Sequence, residues 1–235
     1  MEKLNNLKAI IFDLDDTLYP EKEFVMSGFQ IVSGYLAKKY KLNPLKIFNI
    51  LKTDFEKGIR GKNFNLILGK LKLPKQELKK IITIYRNHKP KIKLYLDAKQ
   101  LLMYLSKNKK IKMALISDGP VKTQRNKLAA LKIDNIFDAV TLSDSLGKKY
   151  RKPHQRPFNV TLKKLKIKPK EAIYIADNPQ KDFRGAKKLG IFTIRIKRKK
   201  GVYTNVEESK KNRADLVITN LGRIKKLCKK SKSMF

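Results

Sequence analysis

AIIFDLDDT, residues 9–17, is the stretch on which the fold turns. Ala9 to Phe12 is a short unbroken apolar run, and it stops at once on Asp13-Leu14-Asp15-Asp16. An unpatterned apolar run of this length, bounded by polar residues, is what a strand buried on both faces requires. Such a strand needs neighbours, and runs of comparable strength come only after residue 110. They are Met113 to Ile116, Ala139 to Leu142, Ala172 to Ala176, Ile191 to Ile196 and Leu216 to Ile218. Helical segments separate them. Pro120 to Leu131 and Pro157 to Leu165 each open on proline, which suits a first helical turn. Phe183 to Leu189 stops at Gly190, a good C-terminal cap. Strand alternating with helix makes βαβ units and a parallel sheet, so the fold class is α/β, with function expected at the strands' carboxyl ends.

Residues 20–90 break this rhythm. Their apolar positions recur at three and four (Phe24, Phe29, Val32, Leu36; Leu78, Ile81, Ile82, Tyr85), which is helical spacing. Asn43-Pro44 and Leu73-Pro74 are expected to start new helices. The division is therefore a core of residues 1–19 and 91–235 carrying a helical insertion of residues 20–90. The basic tail from Lys225 to Phe235 reads as a last helix that frays at its end.

The chain has 235 residues and 41% apolar composition, enough for one buried core plus an insertion. No apolar run approaches the roughly 20 residues that span a bilayer, so no membrane partner is expected. The first residues, MEKLNNLKAIIFDLDD, lack the pattern of a secretory signal. Cys228 is the single cysteine, which excludes an intrachain disulfide and a multi-cysteine zinc site. A cytoplasmic location is the expectation. The net charge of +37 is the unusual number, and a field of that sign attracts anionic substrates and polyanions. A nucleic-acid partner is one reading. The lysines are scattered, however, with no arginine-rich stripe and no nucleic-acid-binding motif, so a lysine-rich solvated surface is favoured.

The three aspartates at the end of the first run carry the chemistry. Asp13 and Asp15, two apart, are placed to point to one side. Carboxylates converging at a strand end repel unless a cation neutralises them, and an oxygen-rich site of this kind suits Mg²⁺. An exposed acidic turn is the alternative. Later strand ends add further pieces. Ser117 follows MALI, with Asp118 and Gly119 behind it at the start of a helix, which makes a natural phosphate cradle. Lys152 sits in KKYRKP, and Asp177 and Asp182 follow AIYIA in DNPQKD.

In these pieces the chain resembles the haloacid dehalogenase superfamily of phosphatases. The signature segments are DLDDT at 13–17, LISDG at 115–119, RKP at 151–153 with Phe158 after it, and IADNPQKD at 175–182. They occur in the right order, and the match spans the whole length. The resemblance implies a Rossmann-like three-layer core with a parallel sheet, plus a small helical cap domain inserted between the first two motifs. It implies that Asp13 attacks phosphorus to form an aspartyl-phosphate, and that Asp15 is general acid and then base. It implies Mg²⁺ as cofactor, held by the Asp13 side chain, the Asp15 main-chain carbonyl and Asp177, with Asp182 orienting water or Lys152 from behind. Ser117, Asp118 and Lys152 would bind the transferring phosphoryl group.

The implied function is hydrolysis of a small phosphorylated metabolite. A phosphomutase using the same intermediate, and a basic nucleic-acid- or anion-binding protein on this scaffold, are the alternatives. Oligomeric state leaves no signal in these motifs. Asp118 stands where asparagine is common, and Ala176 where glycine is frequent. His88 reads as a surface or hinge residue and His154 as a structural one. Arg60, Lys62 and Asn63 fit either a selectivity loop that reaches the phosphate end of a substrate or a plain solvated loop, and Tyr19 and Phe24 fit a cleft lining but fit core packing better.

Overall fold

The computed structural model describes residues 6–108 and 110–230. It resolves into two compact units, one of residues up to Glu21 together with those from Lys93 onward, the other of Lys22–Ile92.

In chain order the elements are β1 (Ala9–Phe12), α1 (Glu21–Tyr40), α2 (Pro44–Glu56), α3 (Asn63–Lys70), α4 (Glu77–Asn87) and α5 (Leu96–Lys107). They continue with β2 (Lys112–Ser117), α6 (Val121–Leu131), β3 (Ala139–Leu142), α7 (Arg156–Leu165), β4 (Ala172–Ala176), α8 (Phe183–Lys188), β5 (Phe192–Ile196), β6 (Leu216–Ile218) and α9 (Gly222–Lys230).

The strands form one sheet in the order β3-β2-β1-β4-β5-β6, parallel throughout. The isolated first strand lies in the middle: Ile10 pairs with Met113 on one side and Ile173 on the other. Both faces are covered, as the unpatterned runs require. Ile11, Ala114, Tyr174 and Ala176 pack on one face against Phe158 and Leu162 of α7 and Phe183 and Ala186 of α8. Strand alternation turns Ile10, Phe12, Leu115 and Ile175 to the opposite face, where they are equally buried. The chain's winding reverses between β1 and β4, and in open parallel sheets the crevice outside such a reversal is where ligands bind.

Most expected elements recur within a residue or two. β2 runs one residue further than the apolar run, so Ser117 ends the strand instead of following it. Ile191 belongs to the turn after α8, its N–H reaching the Ala186 carbonyl, and β5 starts at Phe192. Two short 3-10 turns, Ser143–Leu146 and Lys148–Tyr150, had no apolar signature. They are held by Arg151 gripping Asp144 through two hydrogen bonds of 2.5 and 2.6 Å. α9 starts at Gly222, ahead of the expected Lys225; residues 231–235 of the basic tail lie outside the described residues. No described helix is long and apolar enough to cross a membrane.

The second unit builds its own core from Phe29, Val32 and Leu36 of α1, Ile47, Leu51 and Phe55 of α2, Ile67 and Leu68 of α3, and Ile81 of α4. Asn43 caps α2 by accepting from the Leu45 and Lys46 N–H groups, and Pro44 fills the first turn. Residues 74–76 form a turn, so α4 begins at Glu77, after the expected Leu73-Pro74 start. His88, expected at the surface or at a hinge, is not at the surface. It is buried, its Nδ1 sits 2.6 Å from the Tyr85 carbonyl, and its ring packs against Phe24. Arg60 is pinned to the Phe55 and Ile59 carbonyls and stacks over the Phe55 ring.

Candidate active site

Asp13 is the first residue past β1, and its N–H still reaches the Ile175 carbonyl at 2.9 Å. The sheet ladder therefore fixes where this carboxylate emerges. Asp177 follows the adjacent β4, and Asp182 immediately precedes α8. Carboxylate oxygens of Asp13, Asp177 and Asp182 all lie within 4.8 Å of one another, and all three residues are buried. Paired with two of them stands the Lys152 side chain, 0% exposed. It donates to Asp13, to Asp182 at 2.8 Å and to the Tyr174 hydroxyl at 3.1 Å. Gly185 lets α8 approach the loop that carries this lysine: a Cβ there would lie 2.5 Å from the Pro153 carbonyl oxygen.

Burial of this cluster dominates its electrostatics. Desolvation pushes the Asp13 carboxyl from 3.8 up to about 7, against the pull of Lys152. Asp177 is raised well above the ordinary carboxylate range, first by burial and then by Asp182 and Asp13. Burial alone would lower the Lys152 ammonium, but Asp13 and Asp182 more than reverse it and hold it charged. Asp182 is fully engaged: one oxygen takes Lys152, and the other accepts from the Asn178 N–H at 3.0 Å. Asp177 differs. Among the described residues no donor reaches its carboxylate, and a buried carboxylate beside two others is what a divalent cation compensates. The residues present thus fit Mg²⁺.

The remaining expected residues gather around this cluster. Ser117 Oγ donates to Gln124 Oε1 at 3.0 Å, within α6. The Asp118 carboxylate accepts from Ser143 Oγ at 2.5 Å and from the Lys152 N–H at 3.3 Å, and its second oxygen faces Lys181 at 3.5 Å. Burial opposes its ionisation, but the Lys152 and Lys181 charges and the Ser143 bond hold it below the ordinary value. Its side chain therefore braces the motifs against each other. Asp15 does not join the three-carboxylate cluster. Its Oδ1 accepts from the Tyr19 hydroxyl and from the Lys127 ammonium at 2.7 Å. These two donors overcome burial and lower its pKa.

A family model for haloacid dehalogenase-like hydrolases matches residues 10–196 of this chain, a span that holds every one of these residues. The chain belongs to the haloacid dehalogenase-like hydrolases. Relatives that it matches over most of its length are named as phosphatases. A glyceraldehyde 3-phosphate phosphatase from Methanocaldococcus jannaschii is 35% identical over 86% of this chain and 89% of its own. A second, from Methanopyrus kandleri, is 28% identical over 86% and 88%. Among solved structures, a HAD phosphatase from Thermococcus onnurineus is 26% identical with a TM-score of 0.63, covering 94% of this chain and 98% of its own. This chain is accordingly a phosphatase of the haloacid dehalogenase-like family, with that family's α/β fold.

Several residues around this cluster carry no such mark in the sequence. Tyr19 was assigned to core packing; it is fully buried, yet its hydroxyl is spent on Asp15. Lys127 and Gln124 lie on the buried face of α6 with Thr123, Leu128 and Leu131. Tyr174, the central residue of the AIYIA strand, turns its hydroxyl between Lys152 and Asp182. Asp16, at φ 48°, accepts from the Glu21 and Val202 N–H groups, tying the first motif to the loop after β5. His154 is exposed, accepting from the Arg156 N–H against the Tyr150 ring.

Proposed function

We propose that this phosphatase is a Mg²⁺-dependent hydrolase of small phosphomonoesters acting through an aspartyl-phosphate on Asp13, with glyceraldehyde 3-phosphate as its first candidate substrate. The single observation that carries the chemistry is the buried cluster of Asp13, Asp177 and Asp182, with the Lys152 ammonium paired to Asp13 and Asp182. The substrate choice rests on the relatives' names, and those names also favour water over a second metabolite as the phosphoryl acceptor. We assign residues 22–92 the role of the family's cap.

The Asp13 and Asp177 carboxylates and the Asp15 main-chain carbonyl are the groups that would hold Mg²⁺. Bound there, the ion supplies positive charge that keeps Asp13 ionised and neutralises phosphoryl oxygens. The chain's own residues perform the steps. An Asp13 oxygen attacks phosphorus, and the bond to the leaving-group oxygen breaks as that oxygen takes a proton from Asp15. Asp15, now a carboxylate, accepts a proton from water as the water oxygen attacks the phosphorus of the aspartyl-phosphate. Inorganic phosphate leaves, and Asp13 and the protonated Asp15 are restored. Lys152 faces Asp13 and is charged, so it is placed to stabilise negative charge that builds on the phosphoryl group. Ser117 Oγ and the main-chain N–H groups behind it are the remaining phosphoryl donors, and Asp118, whose carboxylate would repel phosphate, contributes through its main chain. Asp182 keeps Lys152 aimed.

The test compares hydrolysis of glyceraldehyde 3-phosphate and p-nitrophenyl phosphate by wild type and Asp13→Asn, with Mg²⁺ and with chelator. Activity confined to wild type with the metal supports the reading; equal, metal-independent rates in both proteins remove it.

A further inference from the structure

Asp15 stands apart from the three clustered carboxylates, and what holds it is a lysine from another motif's helix. We propose that Lys127 is the positioning residue for Asp15, assisted by Tyr19, and that α6 thereby sets the geometry of proton transfer. The proposal rests on the reading of Asp15 as acid and base. Lys127 is 5% exposed at its side chain and donates to Asp15 Oδ1 at 2.7 Å. The Tyr19 hydroxyl donates to the same oxygen. Two donors on Oδ1 stop the carboxyl group from rotating, and among the described residues no donor reaches Oδ2. Oδ2 is therefore the oxygen that gives the proton to the leaving group and takes it back from water.

The placement of the lysine supports this role. On α6 it lies three residues after Gln124, which holds Ser117, and beside Leu128 on the buried stripe. One helix face thus pins residues of two motifs, 112 positions apart in the case of Lys127 and Asp15. A buried ammonium at an apolar stripe position costs more than an apolar residue of the same volume would. Packing alone does not explain the lysine; the carboxylate it holds does.

The experiment measures kcat/KM for p-nitrophenyl phosphate and for an alkyl phosphate such as glycerol phosphate. Both values report steps up to departure of the leaving group, and only the alkoxide needs strong help from an acid. The variants are Lys127→Met, Lys127→Arg, Tyr19→Phe, Asp15→Asn and Asp15→Asn/Lys127→Met. General acids contribute about 10²–10⁴-fold, so Lys127→Met is expected to lose about 10–100-fold more on the alkyl substrate than on the aryl one. Lys127→Arg should restore most of that difference, and Tyr19→Phe should show the same split to a smaller degree. On the Asp15→Asn background, Lys127→Met should cost nothing further. Equal losses on both substrates, or losses that multiply with Asp15→Asn, would make Lys127 a structural residue and overturn the proposal. If Lys127→Met does not fold, Lys127→Arg and Tyr19→Phe carry the same comparison. Full alkyl phosphatase activity in Asp15→Asn would instead remove the acid–base reading beneath it.

Discussion

Replacing Lys152 by methionine keeps the length of the side chain and deletes the ammonium that donates to Asp13, Asp182 and the Tyr174 hydroxyl. The lysine is wholly buried, and solvent does not screen the loss. Removing one partner from a buried ion pair costs about 3–5 kcal/mol, because the other charge is left uncompensated. In a chain of this size each kcal/mol lowers Tm by about 2–4 °C, which places the loss at roughly 6–20 °C. The carboxylates can relieve part of it by binding protons. The deficit should therefore be larger at about pH 8 than at about pH 5, where protons substitute for the missing ammonium. Thermal unfolding of wild type and Lys152→Met in chelator at the two pH values measures it. A Tm equal to wild type at both would refute the reasoning, since the ammonium would then not be compensating the buried charge.

Other outcomes follow from the same groups. The Asp13 carboxyl, raised to about 7, favours the folded metal-free protein when protonated; that contribution is full below 3.8 and is lost as pH rises through about 7. Mg²⁺ competes with those protons, so its stabilisation, about 2.7 kcal/mol at a hundredfold excess over Kd, should grow across that window; a pH-independent Tm shift would contradict it. Asp215 is opposed by burial but lowered by the Thr193 N–H and hydroxyl and by Lys187. The stability advantage of wild type over Asp215→Asn should be present above pH 3.8 and disappear as acid carries the carboxylate through its depressed folded value, as read by chemical denaturation. Gly185→Ala forces a Cβ against the Pro153 and His154 carbonyls, and should cost about 1–3 kcal/mol and lower kcat by displacing Lys152. Unchanged kcat at reduced Tm would separate the two effects.

How much of this was legible depends on how local each signal is. AIIF and AIYIA declare themselves as interior strands through four or five neighbouring residues, and β1 and β4 lie where those runs predict. The position of Asp13 and Asp177 at adjacent strand ends follows from that alone once the strands pair. The helical insertion was equally plain, because a change of period from strand to helix needs no tertiary information. The polar supports were not legible in this way. Lys127 looks like any other lysine in a chain with so many, and only its partner, more than a hundred residues away, distinguishes it. Tyr19 and Tyr174 read as core because their rings are core; only their hydroxyls belong to the site. The 3-10 turns before Lys152 were missed for a related reason. They are held by the Arg151–Asp144 pair instead of an apolar stripe.

The most direct measurement is to mix wild-type enzyme and substrate with Mg²⁺, quench in acid within one turnover, digest, and weigh the peptide that contains residues 9–17. The account predicts the added mass of one phosphoryl group on Asp13, present in wild type, absent in Asp13→Asn, and discharged on further incubation. Turnover of glyceraldehyde 3-phosphate with that peptide unmodified, or the group found on another residue, would contradict it.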